Sequence, residues 1–284
     1  MSKPIHVLLF DGNSIYRRFH GAMSNQGSED SVERSVQAME ATQKKVFDLS
    51  RSLKGTHGCV FFDGGEKTWR HEFHPTYKCD PKTGEPKIKP QAMIDSILMC
   101  QQNISSTGIK THRDETKEAD DGIAAIANIL SNKPNIKVTI VANDKDMFQL
   151  VTNNVVCHMP FERIDVDEKW VVDKYGCSGG KLTELFTLMG DASDNIPGVK
   201  GVGAIKAKKL LDDYKDIETL IACAHIVPGA IGRNISDNID IIPVCKKLIN
   251  LRDIDYPLGF KMSDMRMPEN FLAKKKPEYN GFGM

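Results

Sequence analysis

Three short apolar runs in this chain each end on a carboxylate, and that repetition limits the fold more than any other feature of the sequence. Residues 5 to 10 read Ile-His-Val-Leu-Leu-Phe and run into Asp11-Gly12-Asn13. Residues 59 to 62 read Cys-Val-Phe-Phe and run into Asp63 and two glycines, and residues 137 to 142 read Lys-Val-Thr-Ile-Val-Ala and run into Asn143-Asp144-Lys145-Asp146. Apolar runs this short, bounded by turn residues, have the form of strands buried on both faces in a parallel sheet. In open α/β sheets, sites are built outside the carboxyl edge of the strands. Three strands delivering acid at that same end therefore predict one shared site.

Between and beyond the strands the pattern is helical. Helices are predicted over 32 to 53, with Val36, Met39, Val46, Leu49 and Leu53 inward, over 91 to 106, and from the Thr116 to Asp121 stretch to 130, with Ile123, Ile126, Ile129 and Leu130 inward. A strand at 155 to 158 and helices near 168 to 175 and 181 to 189 follow, and helices at 216 to 224 and 235 to 251 close a small C-terminal domain. The fold class is thus α/β, with a mostly parallel central sheet flanked by helices. Residues 1–188 form the first domain, 189–255 the second, and 256–284 a tail. From about Met262, with Lys274-Lys275-Lys276-Pro277, that tail is predicted to be loosely ordered.

Two further segments carry chemistry. Asp191 and Asp194 are three apart, so one helical turn would point both the same way. Directly after them Gly198-Val199-Lys200-Gly201-Val202-Gly203 leads into a segment with lysines at 206, 208 and 209 and apolar Ile205, Leu210 and Leu211. Backbone N–H groups freed by glycines at the mouth of a helix form a phosphate cradle. Glycines alone would more often mark an ordinary loop; the acids beside them change the reading. Residues 66–92 are basic and turn-rich, with Trp69, Phe73 and Tyr77 recurring every four. Phe73 is assigned to the core; Tyr77 stays open between core and base stacking. His71 and His74 lack a third partner for zinc.

Formal charge is balanced, 38 basic against 38 acidic residues. Gathering Asp11, Asp63, Glu118, Asp120, Asp121, Asp144, Asp146, Asp191 and Asp194 into one site leaves 29 acids against 38 bases, a positive remainder for a phosphate backbone to meet. Acids so concentrated need cations, and an all-oxygen donor set selects Mg²⁺ or Mn²⁺. Two such ions are the standard device for phosphodiester hydrolysis, which predicts a nuclease or phosphatase. The seven scattered cysteines form no C-x-x-C pair, so reduced thiols are expected, and no apolar run approaches a membrane span. An intracellular, cytoplasmic protein is the expectation.

The segments LLFDGNSIYRRFH, VFFDGGEKTWRHEFHPTYK, KEADDGIAAIA, VTIVANDKDMFQLV and LMGDASDNIPGVKGVGAIKAKKLL occur in the order and at about the spacing of the motifs of the 5'-nuclease (flap endonuclease) family. The chain resembles that family from about residue 5 to 250. The family includes the N-terminal exonuclease domain of bacterial DNA polymerase I and small stand-alone bacterial and phage relatives. The resemblance implies a PIN-like nuclease domain with a basic arch or gateway at 66–92, and a helix-hairpin-helix domain that binds duplex DNA, often with K⁺ in the hairpin. It also implies metal-dependent cleavage near 5' ends or flaps. By the same resemblance Asp11, Asp63, Glu118 and Asp120 surround one metal, Asp144, Asp146, Asp191 and Asp194 are shared with or hold the other, and Asp121 lies behind the ligands. Lys78 steers the scissile phosphate, Arg70 and Arg18 match phosphate-touching positions, and the stacking residue aligns with Tyr16 or with Arg17.

Tyr77, Lys82 and the hairpin residues Gly198, Lys200, Gly201, Gly203 and Lys206 complete the expected DNA contacts. The sequence departs from the family after Lys78: an arginine is missing, and Lys82 or Lys87 would stand in without its bidentate reach. The segment from Phe73 to Met93 is also compact for an arch. The expected activity is a monomeric, Mg²⁺-dependent 5'-3' exonuclease and flap endonuclease acting on DNA, or on an RNA primer, in a bacterial or phage-infected cell, with polymerase supplied in trans. The competing readings are a DNA-structure-binding protein with weak or lost catalysis, and a PIN-like ribonuclease or metal phosphatase, which would not need the hairpin.

Overall fold

The computed structural model describes residues 4–26, 28–80, 82–254 and 256–269. Its centre is a six-stranded sheet of β1 (Ile5–Asp11), β2 (His57–Phe62), β3 (Lys110–Arg113), β4 (Ile136–Val141), β5 (Val155–Met159) and β6 (Ile164–Val166), in the order β3-β2-β1-β4-β5-β6. All neighbouring pairs are parallel except β5 with β6. Each predicted strand is present. β3 and β6 carried no apolar run to reveal them: Lys-Thr-His-Arg lies half-buried at one edge, and β6 has only three residues at the other.

Strand alternation divides the core between the two faces. Val7 and Leu9 join one cluster with α5 (Ala119–Leu130), while Leu8 and Phe10 join another with α1 (Gly12–Ala22), α2 (Val32–Ser52) and α4 (Gln91–Ser106). All four side chains are fully buried, each contributing about 1.5–3 kcal/mol by leaving water. α2 starts where the Ser31 side chain accepts from the Arg34 N–H, and it buries Ala38, Met39, Thr42, Val46, Phe47 and Ser50 along one stripe. The remaining helices are α3 (Arg70–Phe73), α6 (Glu168–Tyr175), α7 (Gly179–Met189), α8 (Ala204–Tyr214), α9 (Ile217–Ala222), α10 (Gly229–Ser236) and α11 (Ile241–Ile249).

Several expectations are corrected. Phe73 is exposed, with the Lys247 ammonium 3.3 Å above its ring centre, and Ile129 and Ile205 also face outward. The predicted helix over 235 to 251 is two helices, interrupted at residues 237–240. The C-terminal part of the chain is not loose where it is described. Residues 256–269 return to the sheet, where Arg266 bridges His57 of β2 and Met267 N donates to the Thr56 carbonyl at 3.0 Å. Met265 and Met267 are buried. The run Lys274-Lys275-Lys276-Pro277 lies outside the described residues.

Candidate active site

Local geometry explains why each acid stands where it does. Asp11 ends β1 and caps α1, its Oδ1 accepting from Ser14 N at 2.8 Å. Asp63 follows β2; its Oδ1 accepts from Ala119 N at 3.2 Å and its Oδ2 from Asn13 Nδ2 at 2.6 Å, joining β2 to the starts of α1 and α5. Glu118 is the N-cap of α5 and Asp120 lies in its first turn. Asp144 follows β4 and caps the short 3-10 segment Lys145–Leu150, which carries Asp146. Asp191 and Asp194 sit on a closed loop, with Asp191 N bonded to Ile196 O at 2.8 Å and Ile196 N to Asp191 O at 2.7 Å. That loop is shaped by two glycines in the left-handed region, Gly190 (φ 70°) and Gly198 (φ 60°), packed so closely that a Cβ on Gly198 would lie 2.3 Å from Gly190 N.

These eight acids act on one another. Burial, then Asp63 and Asp144, push the Asp11 carboxyl up to about 7. Burial, then Asp144, Asp191 and Asp194, push Asp146 up to about 8. Asp120 is raised by burial and by Asp11, Asp144 and Glu118. Asp63 goes the other way: burial alone would raise it, but Arg17, Lys78, Lys89 and the Ala119 N–H hold it below the usual range.

Cations already lean on the cluster. Lys145 Nζ is 2.6 Å from Asp191, Lys78 Nζ 2.8 Å from Glu118, and Arg17 Nη2 3.3 Å from Asp63. As the side chains stand, no three His, Cys, Asp or Glu groups among the described residues close to the spacing of a finished metal site. The donor set nonetheless fits hard divalent ions: it is all oxygen, and burial together with the neighbouring acids raises the Asp11 and Asp146 carboxyls, a strain that bound cations would relieve.

Lys78 has a left-handed backbone (φ 56°) fixed by its N–H donating to Asp194 O at 3.0 Å, so its ammonium reaches the cluster from the side of Asp194. Tyr77 is buried, and its hydroxyl lies 3.2 Å from both Glu118 Oε2 and Asp194 Oδ2. It positions carboxylates and offers no face to a base.

Burial keeps Asp121 behind the ligands, as expected, and overturns two other assignments, Arg70 and Tyr16. Asp121 is wholly enclosed and its oxygens serve Arg70 Nη1 and Nη2 at 3.0 and 2.9 Å, Trp69 Nε1 at 3.1 Å and Glu118 N at 3.0 Å, which leaves no side for an ion. Arg70, at 2% exposure, is sealed in that contact and cannot touch phosphate. Tyr16 is fully buried, its hydroxyl 2.6 Å from Ser96 Oγ and its ring stacked on His20, so it cannot stack on DNA. Arg17, the other alignment, is exposed beside Asp63.

The remaining predicted contacts lie at the surface. Arg18 is exposed with its Nη2 3.7 Å from Glu162, and Lys82 sits on an exposed turn. Lys200 and Lys206 are exposed around the hairpin, where Asn234 Nδ2 donates to the Lys200 carbonyl and Lys206 Nζ to the Gly201 carbonyl. Gly201 and Gly203 have open space before them, as a backbone-contacting cradle needs; Gly198 serves packing. Sequence reasoning missed Asn13, Lys89, Lys145 and Gln149. Only Lys145 had a visible signal, a base set between two acids.

A parallel α/β sheet with eight carboxylates at its carboxyl edge, adjoining a glycine hairpin that opens a lysine-bearing helix, defines an α/β nuclease. Residues 6–176 match the family model for the 5'-3' exonuclease N-terminal, resolvase-like domain, and residues 178–271 match that for the 5'-3' exonuclease C-terminal SAM fold. The chain belongs to the 5'-3' exonuclease family and is a nuclease.

It is similar to flap endonuclease Xni of Pseudoalteromonas translucida (29% identity over 93% of this chain and 99% of the relative) and of Vibrio campbellii (30%, over 92% and 96%). It also resembles DNA polymerase I of Rhizobium leguminosarum, at 29% identity over 95% of this chain but 27% of that one. Among solved structures it shares its fold with the T5 D15 protein co-crystallised with metal ions (TM-score 0.72, 18% identity, 87% and 90% of the two chains). It shares it also with the catalytic core of Rad2 in complex with DNA substrate (TM-score 0.55, 15% identity, 95% and 86%). No helix among the described residues is long and apolar enough to cross a membrane.

Proposed function

We propose that this nuclease is a Mg²⁺-dependent 5'-3' exonuclease and flap endonuclease that hydrolyses DNA phosphodiesters with two divalent ions, Mg²⁺ or Mn²⁺. The observation that carries the reading is the eight-acid cluster directly upstream of the hairpin, so that one loop joins the cutting site to the duplex contact. Asp11, Asp63, Glu118 and Asp120 would hold one ion, and Asp144, Asp146, Asp191 and Asp194 the other. Ions bound there would activate the attacking water and neutralise charge on the reacting oxygens. Lys78 turns from Glu118 to the scissile phosphate and stabilises its developing charge. Arg17 meets the 5' strand beside Asp63. The N-terminus of α8, with Gly201, Gly203, Lys200 and Lys206, grips the duplex backbone through N–H groups and ammonium charge. The metal-bound and DNA-bound structures that share the fold support this reading.

The chain acts as a monomer in the cytoplasm, removing 5' DNA or primer strands for a polymerase supplied separately. The test is incubation with 5'-flap, nicked, blunt and single-stranded substrates, with Mg²⁺ or with EDTA, and mapping of products. Cleavage at the flap junction and from 5' ends, abolished by EDTA, is expected. Tight flap binding without cleavage would replace this reading with that of a DNA-structure-binding protein.

A further inference from the structure

Two buried polar side chains that face no solvent both end on the last turn of α11. Arg70 donates through Nε to the Leu248 carbonyl at 3.1 Å while its other nitrogens hold Asp121, and Nη1 lies 3.6 Å from Glu118 Oε2. Gln149, at 0% exposure, donates through Nε2 to the Ile249 carbonyl at 3.1 Å and accepts at Oε1 from Leu251 N at 2.9 Å and Thr183 Oγ1 at 2.8 Å. Its own carbonyl accepts from Arg252 Nη1 at 2.8 Å. The Leu248 and Ile249 carbonyls are among those a helix leaves without an internal partner at its C-terminus, so side chains must satisfy them when they are buried.

The two anchors belong to different halves of the acidic cluster. Arg70 grips Asp121, whose Oδ2 caps the Glu118 N–H and fixes the start of α5 with Glu118 and Asp120. Gln149 belongs to the 3-10 segment that Asp144 caps and that carries Asp146. The end of α11, an element of the C-terminal domain, is therefore bonded to both acid-bearing segments.

We propose that Arg70 and Gln149 are positioning residues that clamp the end of α11 between the two halves of the carboxylate cluster, so that docking of the C-terminal domain sets the spacing at which divalent ions bind. Neither residue touches substrate. A bidentate guanidinium and a primary amide suit the task because each can hold two segments at once with fixed geometry.

The test uses the full chain with Arg70→Lys, Gln149→Met and, as a milder change, Thr183→Val, which removes one donor to Gln149. Mn²⁺ alone is titrated against thermal unfolding, flap affinity is measured in Ca²⁺, and kcat and KM are measured across Mg²⁺ concentrations. In the Arg70 and Gln149 variants the Mn²⁺ midpoint is expected to rise at least fivefold. Their kcat at limiting Mg²⁺ should fall at least tenfold and recover as Mg²⁺ is raised, with flap affinity within twofold of wild type. Thr183→Val should shift the midpoint in the same direction by about twofold, and it carries the test if a stronger variant does not fold.

A purely structural role would lower stability equally at every Mn²⁺ concentration and leave the midpoint unmoved, which overturns the proposal. A loss confined to flap affinity would overturn it too, by placing these residues at the DNA. The proposal rests on the divalent-ion reading above. Wild-type protein that neither binds Mn²⁺ nor cleaves sinks that reading, whereas normal wild-type behaviour with unmoved variants sinks this proposal alone.

Discussion

Replacing Gly198 with alanine isolates the packing that shapes the Asp191 to Asp194 loop. The residue sits at φ 60°, where a non-glycine costs about 1–2 kcal/mol. The new Cβ would also fall 2.3 Å from Gly190 N and 2.5 Å from Met189 C, which are backbone atoms that cannot rotate aside. Forced overpacking adds about 1–3 kcal/mol, for a total of about 2–5 kcal/mol. Gly201 is the internal control: its φ is 80°, but nothing lies within 4 Å of its Cβ position.

Gly201→Ala therefore carries only the conformational cost, partly offset by about 0.4–1 kcal/mol from a stiffer unfolded chain. In thermal unfolding, at roughly 2–4 °C per kcal/mol for a chain near this size, Gly198→Ala should lower Tm by roughly 4–20 °C and Gly201→Ala by no more than roughly 6 °C. Because the displaced backbone carries two of the acids, Gly198→Ala should also lose at least tenfold in kcat. Gly201→Ala should lose duplex affinity and keep its kcat. Equal Tm losses in the two variants would refute the close-approach argument, and an unchanged kcat in Gly198→Ala would separate that loop from the chemistry.

Other perturbations follow from the same geometry. Asp191→Ala should abolish flap cleavage while leaving flap binding in Ca²⁺ intact; unchanged turnover would remove Asp191 from the site. Lys78→Ala should lower kcat by about 10²–10³ with affinity changed no more than about threefold, since its charge acts on the developing transition state; an effect on KM alone would make it a surface contact. Tyr16→Phe should cost about 1 kcal/mol in urea unfolding by removing the hydroxyl's bond to Ser96 Oγ, and leave KM for DNA unchanged. A raised KM would mean that the ring reaches the substrate.

The acids also set a pH dependence. Asp11 and Asp146 titrate at about 7 and about 8 in the folded chain, above the ordinary carboxyl range, so between about pH 4 and pH 8 the folded state binds more protons than the unfolded one. Metal-free protein should therefore lose stability as pH rises through that window. Divalent ion at about 100 times its Kd should restore about 2.7 kcal/mol at pH 8, and calorimetry showing no gain with Mg²⁺ would refute the cluster as an ion site.

What the sequence made legible followed one rule. Asp11, Asp63, Asp144 and Asp146 announce themselves because each closes or closely follows an apolar run buried on both faces, and parallel pairing of those strands then brings the acids to a common edge. Direction along a helix is harder to read. Asp120 and Asp121 are adjacent, yet one faces the cluster and the other is locked to Arg70, a distinction set by tertiary partners far away in the chain. Tyr16 and Tyr77 look like stacking residues because their rings are large and lie in basic surroundings. Their burial comes from packing partners, Ser96 for one and Glu118 with Asp194 for the other, that no local pattern encodes. Phe73 erred the other way: its four-residue spacing suggested a buried stripe, but α3 is a single turn and has no stripe to bury.

Met265 and Met267 lie two residues apart and fall in different hydrophobic clusters, one on each face of the sheet. The returning segment is thus a stitch through both layers of the first domain, made by chain that follows the second. Nicking between the domains would leave this stitch in place, while removing it would expose apolar surface on both faces at once. The calorimetric unit should accordingly be the whole described chain, melting in one cooperative transition, even though two family models divide it near residue 177.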